Sequence, residues 1–241
     1  MGVEAAELGE ACFKVVQSHR SIRSFKPDPI PREHLDAILE AARRHASPWN
    51  LQPVHVTVVT DRGLKERLAE VLWGQRQIAE APVFLVFSVD YAKILRALER
   101  QGAKTRRPGL ADYIQGVISA SIALSWAALV AEGLGYAINF IAVYGRPCET
   151  AEVLKLPELV VPVAGLNIGK PADMPGLTPR APREALVGVN GYGDVDSKAE
   201  AYKLTMEGFI EKVAKVLGPG GPVEEMDERV RECLRRRGFN L

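Results

Sequence analysis

Apolar positions recur along this chain in two rhythms, and the switches between them mark out its elements. Leu35, Ile38, Leu39 and Ala42 fall at the 3.6-residue spacing of a helix with one face turned to a core. Pro31 is placed to open that helix and Ser47-Pro48 to stop it. Ala5, Leu8, Cys12, Val15 and Val16 give residues 4–17 the same rhythm. Residues 54–60 read instead as a strand, and 83–89 form a near-continuous apolar run, as in a strand covered on both faces. Between them Asp61 can cap a helix over 64–72. Two further strands are expected over 136–143 and 159–168. An amphipathic helix over 197–217 aligns Tyr202, Met206, Phe209, Val213 and Val216, and a last one over 223–237 carries Met226, Val230 and Leu234. Gly218-Pro219-Gly220-Gly221-Pro222 parts them.

Two stretches lack either rhythm. Residues 91–107, where Lys104, Arg106 and Arg107 bunch together, read as a solvated face or mobile loop. Residues 174–194, rich in Pro and Gly, read as an extended arm. The longest apolar stretch, 113–132, has the length of a bilayer span, but Gln115, Ser119, Ser121, Ser125 and Glu132 interrupt it and no basic flank anchors it. We read it as a helix central to a core or a subunit interface, so no membrane partner is expected. Gly133-Leu134-Gly135 ends it as a C-cap; a dinucleotide fingerprint would need the glycines between strand and helix, in that order.

About four strands with apolar faces and several helices make an α+β sandwich. The apolar central helix and the late arm carry more apolar surface than one chain can cover, which points to a homodimer. At 241 residues the chain can bury a sizeable core. The balance of 31 basic and 30 acidic residues argues against a nucleic-acid partner. Cys12, Cys148 and Cys233 lie far apart without metal-ligand spacing, so neither a disulfide framework nor a metal site is expected, and a reduced, cytoplasmic setting follows. Glu4 and Glu7 at the start are unlike a secretory signal. Many prolines and an excess of Arg over Lys lean towards a thermophilic source.

The densest chemistry lies at 18–25, Ser-His-Arg-Ser-Ile-Arg-Ser-Phe, before Lys26-Pro27-Asp28-Pro29, which cannot continue a helix. An imidazole, two guanidiniums and two hydroxyls suit a phosphate, whose oxygens match guanidinium geometry. A solvated basic turn is the alternative. No nucleophile elbow, Walker lysine or paired glycosidase carboxylates accompany it. What remains fits a site that holds a phosphorylated cofactor, which itself does the chemistry.

The 18–31 stretch with the helix to Ala41-Ala42-Arg43 resembles the opening of the FMN-dependent nitroreductases. Ser47 to Pro53, with Asn-Leu-Gln-Pro before a strand, is similar to their second signature. Leu154-Lys155-Leu156-Pro157, Gly165 to Asp173 and Thr178-Pro179-Arg180-Ala181-Pro182 resemble the larger branch of oxygen-insensitive nitroreductases and flavin reductases. The resemblance implies a mainly antiparallel central sheet flanked by helices, a homodimer with an extended C-terminal arm, an FMN-binding core over 1–195 and a helical extension over 196–241. It also implies FMN as cofactor, NADH or NADPH as donor, and a nitroaromatic, quinone or free flavin as acceptor, reduced in a ping-pong cycle.

By the same resemblance His19, Arg20 and Ser21 grip the FMN phosphate from one side and Arg180 closes it from another. Arg23 sits beside N1 and O2 of the isoalloxazine, Ser47 and Asn50 near the ribityl chain and ring edge, and Gln75 at the pyrimidine edge. Phe140-Ile141 stand where the family strand carries a Gly pair beside the flavin face, Thr178 where the branch has a lysine, and the Arg-bearing NADPH segment is missing. A different flavin reaction (dehalogenation or flavin breakdown), or FMN or nucleotide binding without turnover, remain alternatives.

Overall fold

The computed structural model describes residues 5–205 and 210–241, which divide into two compact units, 1–175 with 228–241 and 176–227. The first unit is built on one four-stranded antiparallel sheet. Its chain order runs α1 (Ala5–Ser18), α2 (Arg32–Arg43), β1 (Val54–Val59), α3 (Arg62–Val71), α4 (Arg76–Glu80), β2 (Val83–Asp90), α5 (Ala92–Arg100), α6 (Leu110–Gly133), β3 (Ala137–Ile141), α7 (Pro147–Val153) and β4 (Val160–Gly169). The spatial order β1-β2-β4-β3 puts β2 and β4 in the middle, and all eight residues of β2 are buried.

Alternation along the strands sends side chains to two different cores. Leu85, Phe87, Leu166, Ile168 and Ile138 face α2 and α6, whose Ile38, Ala42, Ala120, Ala123 and Ala127 fill that side. Phe84, Val86 and Ile141 face the other way, onto Leu68, Leu72 and Ile78 of the α3–α4 pair. The sheet is therefore covered on both faces, as the apolar run at 83–89 foretells. The periodicity in α2 holds, but Pro31 is the N-cap rather than the first helical residue, and the helix ends at Arg43, before Ser47-Pro48. Asp61 caps α3 by accepting the Leu64 N–H at 2.7 Å.

Helix α6 is long and apolar enough to cross a membrane by length and composition. Here one side lies in the core and the other exposes Ile114, Ile118 and Trp126. Its start is held by Asp112, which accepts the Gly109 N–H at 2.8 Å and two hydrogen bonds from Arg106. The Arg106 guanidinium, foremost, keeps the Asp112 carboxyl below the usual carboxylate range. A depressed carboxylate contributes stability that is present above its unfolded pKa and is lost as pH falls through the folded one. Asp112→Asn is expected to cost on the order of 1 kcal/mol at neutral pH and to flatten the acid limb of a stability–pH profile. Equal acid sensitivity in variant and parent would refute this.

Close approach of α6 to β2 depends on Gly116, where an added Cβ would stand 2.5 Å from Val89 Cγ1. An exposed helical Gly→Ala change stabilises by about 1 kcal/mol. Gly116→Ala should do the reverse, losing about 1–3 kcal/mol in a denaturant titration because Val89 is walled in by β2 and the core.

The second unit contains α8 (Arg183–Leu186), α9 (Val195–Thr205) and α10 (Ile210–Leu217). Lys198 organises part of it, donating to the Glu184 and Val187 carbonyls at 3.0 and 2.9 Å. Of the single helix expected over 197–217, Met206 and Phe209 fall outside the described residues. The last helix, α11 (Pro222–Arg236), crosses from one unit to the other, so the extension expected from 196 onward is shared between them. From 228 on it belongs with the sheet. Arg229 and Arg236 pair with Glu149 and Glu152 of α7 at 3.4 and 3.1 Å, Arg237 donates to the Leu156, Pro157 and Val160 carbonyls, and Phe239 meets Tyr91 and Tyr113 edge-on.

Two expectations need correction. Cys148 of α7 and Cys233 of α11 form a disulfide, with Cα atoms 5.5 Å apart across 85 residues of sequence, and only Cys12 is free. Spacing along the chain says nothing about two helices that fold back on each other. The charged stretch at 91–107 is a solvated face, as one of its two readings has it, but not a loop: α5 occupies 92–100 with no residue fully buried, Ile94 packs against the core, and Arg106 and Arg107 are tied to Asp112 and Glu158.

Candidate cofactor-binding site

The basic turn runs along the outer edge of β3. Leaving α1 at Ser18, the chain makes a parallel bridge from Ser21 to Ile138, and the Ile22 N–H donates to the Ile138 carbonyl at 3.0 Å. Phe25 bridges Pro171, and the Ala172 N–H donates to the Ser24 carbonyl at 3.0 Å. Ile22 and Phe25 are buried with Ala81 and Ala137. Anchoring these two apolar residues leaves the polar ones between them outside, with Arg23 exposed.

Arg20 bends back, its Nε donating to the Ser18 carbonyl and its Nη1 to the Pro175 carbonyl, both at 3.2 Å. Among the described residues, neither Arg20 nor Arg23 has a carboxylate partner. Arg20 also lines a cavity of about 210 Å³ with Ser18, Ile22, Glu132, Tyr136 and Met174. His19 is held separately: its Nδ1 lies 2.7 Å from Glu132 Oε1, and its ring centroid 5.9 Å from that of Phe140. Burial raises the Glu132 carboxyl above its ordinary range, opposed by the bond to His19.

Phe140 and Ile141 are neighbours in β3 but point to opposite faces. Phe140 is 43% exposed beside His19, while Ile141 is buried with Phe84 and Val86. Only the first can narrow an open pocket.

Gln75 heads α4, its Oε1 accepting from Gln77 Nε2 at 2.8 Å. The far end of that short helix leads to Ala81, in the cluster with Ile22 and Phe25. The approach to Gln75 is a tight turn in which Trp73 and Gly74 both take positive φ, at 61° and 70°, with Arg146 over the Trp73 ring. Arg180 lies in the 176–227 unit, where its Nη1 donates to the Thr178 and Pro179 carbonyls.

Ser47 and Asn50 are elsewhere in this sheet. They sit on the 47–52 loop that leads into β1, the strand at the edge opposite β3. Ser47 Oγ accepts the Gln52 N–H at 2.9 Å, and Asn50 Oδ1 accepts from Gln52 Nε2 at 2.9 Å. Trp49, Asn50 and Gln52 all have positive φ, and Trp49 is 85% exposed. Three strand spacings, on the order of 14 Å, separate β1 from β3, and the basic turn lies one spacing further out. Within one chain the two groups are not brought together.

Glu132 is the site residue that sequence reading missed as such. Its only signal was an acid at the last turn of an otherwise apolar helix, where the negative end of the helix dipole disfavours it.

The fit to a phosphorylated ligand rests on donors. Two guanidiniums that have no carboxylate partner among the described residues, an imidazole and the Ser21 hydroxyl gather at one sheet edge, and they suit the phosphate of FMN. Fold and donor set thus define a class: a two-faced antiparallel α+β sandwich with a basic, donor-rich turn along its edge strand. The family model described as the nitroreductase family matches residues 16–170. The chain is 38% identical over 206 residues to the FMN reductase [NAD(P)H] of Bacillus subtilis, covering 83% of each. It is 37% identical over 188 residues to the oxygen-insensitive NADPH nitroreductase of Salmonella typhimurium, covering 77% of this chain and 76% of the relative. Among solved structures, a hypothetical oxidoreductase of Bacillus subtilis superposes with a TM-score of 0.86 at 33% identity, over 96% of this chain and 98% of that one. The NADPH:FMN oxidoreductase of Vibrio harveyi, complexed with NAD+, gives 0.78 at 25% identity, over 91% and 98%. The chain belongs to the nitroreductase family.

Proposed function

We propose that FMN is held at the β3 edge, its phosphate against His19, Arg20 and Ser21 and its pyrimidine end beside Arg23 and Gln75. The chain is an FMN-dependent NAD(P)H oxidoreductase, as its family and its FMN reductase and nitroreductase relatives support. The observation that carries the placement is the run of donors at 19–23, pinned to the sheet edge by Ile22 and Phe25, whose two arginines have no carboxylate partner among the described residues. Bound there, FMN supplies hydride transfer from a nicotinamide to a small acceptor such as a nitroaromatic, quinone or free flavin, donor and acceptor using the same place in turn. Arg20 and Ser21 bind and orient the phosphate. Arg23 presents a fixed cation to the ring's pyrimidine end, where negative charge is best stabilised by a preorganised donor. Phe140 borders the pocket beside His19.

Ser47 and Asn50 complete the site from a second copy of the chain. Their place at the far edge of the sheet supports this, as do the exposed Leu8, Phe13 and Val16 of α1 and Ile114, Ile118 and Trp126 of α6, which a second copy would cover. We place the protein in the cytoplasm of a thermophile. The buried disulfide is in keeping with that, since intracellular proteins of hyperthermophiles carry them where mesophile proteins do not.

The test is a visible spectrum of the purified protein, then anaerobic addition of NADH and of NADPH. A yellow protein bleached by one of them bears out the reading and identifies the donor. A protein that stays colourless after incubation with FMN, or a bound flavin neither nicotinamide reduces, overturns it.

A further inference from the structure

We infer that Glu132 is a positioning residue for the phosphate subsite, which holds His19 in its phosphate-binding orientation and thereby raises the preference for FMN over unphosphorylated flavin. The inference rests on the placement of the FMN phosphate at the basic turn.

His19 follows α1 directly, and its side chain, 21% exposed, is held by Glu132 at Nδ1 and lies beside the Phe140 ring. An ionised carboxylate only accepts, so with Glu132 ionised the 2.7 Å contact places the proton on Nδ1. Nε2 is then the one ring nitrogen left for a ligand. To donate there as well, the ring must carry both protons, and the carboxylate opposite balances the resulting charge. The remaining charged group lining the adjoining cavity is Arg20, and Tyr136 is the other titratable side chain there.

The location of Glu132 argues that it is not there for the fold. It ends an apolar helix, at the pole of the dipole that repels an acid, and it is largely buried, with its carboxyl raised above the ordinary range by that burial. A glutamate in such a place costs stability. Lining the same cavity as Arg20, it would also repel a phosphate bound there. Both costs are explained if the carboxylate serves the imidazole.

The experiment is fluorescence titration of the flavin-free protein with FMN and with riboflavin, which lacks the phosphate. Glu132→Ala should weaken FMN about tenfold, the usual effect of losing a hydrogen bond to a charged group. Glu132→Gln, which still accepts from Nδ1–H, should stay within about threefold of the parent. Riboflavin affinity should be the same in all three. On a His19→Ala background, Glu132→Ala should add nothing, since the pair acts as a unit. Equal losses in the Ala and Gln variants, parallel losses for riboflavin, additive effects in the double variant, or FMN binding that is unchanged or tighter in Glu132→Ala would each overturn the inference. Thermal melts of the flavin-free variants at or above the parent show that the fold is intact; a melt lowered in both would make Glu132 structural and also overturn it. If Arg20→Ala and His19→Ala leave FMN affinity untouched, the placement of the phosphate fails. If they weaken it and Glu132→Ala does not, only the role of Glu132 fails.

Discussion

Reduction of the Cys148–Cys233 disulfide is expected to lower the unfolding free energy by about 4 kcal/mol, the chain-entropy value for a closed loop approaching 100 residues. For a chain of this length that is a fall of about 10 °C in melting temperature. The effect is large because the cross-link spans everything from α7 to α11, including the whole 176–227 unit, and both sulfurs are buried. Cys233→Ser should melt at the reduced temperature with or without dithiothreitol, whereas the parent should shift on adding it. A thiol count in denaturant gives a direct check. One reactive thiol, that of Cys12, is expected from the untreated protein, and three would show that the bridge does not form. The ion pairs from Arg229 and Arg236 to α7 will not substitute for the covalent bond, because exposed pairs of this kind contribute well under 1 kcal/mol each.

Arg20→Ala is expected to raise the FMN dissociation constant about 30-fold, close to 2 kcal/mol, with little change for riboflavin. Arg20→Lys should recover only part of this. The guanidinium is oriented by giving hydrogen bonds to the Ser18 and Pro175 carbonyls while its remaining N–H groups stay open, and an ammonium cannot do both in one plane. Equal affinities for FMN in parent and Arg20→Ala, measured at one ionic strength, would place the phosphate elsewhere.

The parts of this molecule that sequence alone revealed are those in which local pattern and final environment agree. Leu35, Ile38, Leu39 and Ala42 mark α2, and the apolar run of β2 is the centre of the sheet, because a buried face leaves its period in the chain. The turn at 18–23 was legible because its donors are contiguous. Helix α5 also carries the helical period, with Ile94, Leu95 and Leu98 on one face, but the charges of Lys93, Arg96, Glu99 and Arg100 mask it. Nothing local could reveal partners that meet only after folding: Cys148 with Cys233, or His19 with a glutamate 113 residues away. For Ser47 and Asn50 the missing knowledge was strand order. That β1 and β3 are opposite edges is a property of topology, and no motif encodes it.

The three tryptophans have a consequence for how this protein can be watched. Trp49 is 85% exposed on its loop, Trp73 44% on the turn before Gln75, and Trp126 41% on the outer side of α6. Folding a single copy leaves every indole in contact with water, so its emission should lie near that of the unfolded chain. A blue-shifted spectrum that grows with protein concentration would then report association between copies, and quenching on adding flavin would report its binding. In this chain intrinsic fluorescence is a gauge of what covers the surface rather than of folding.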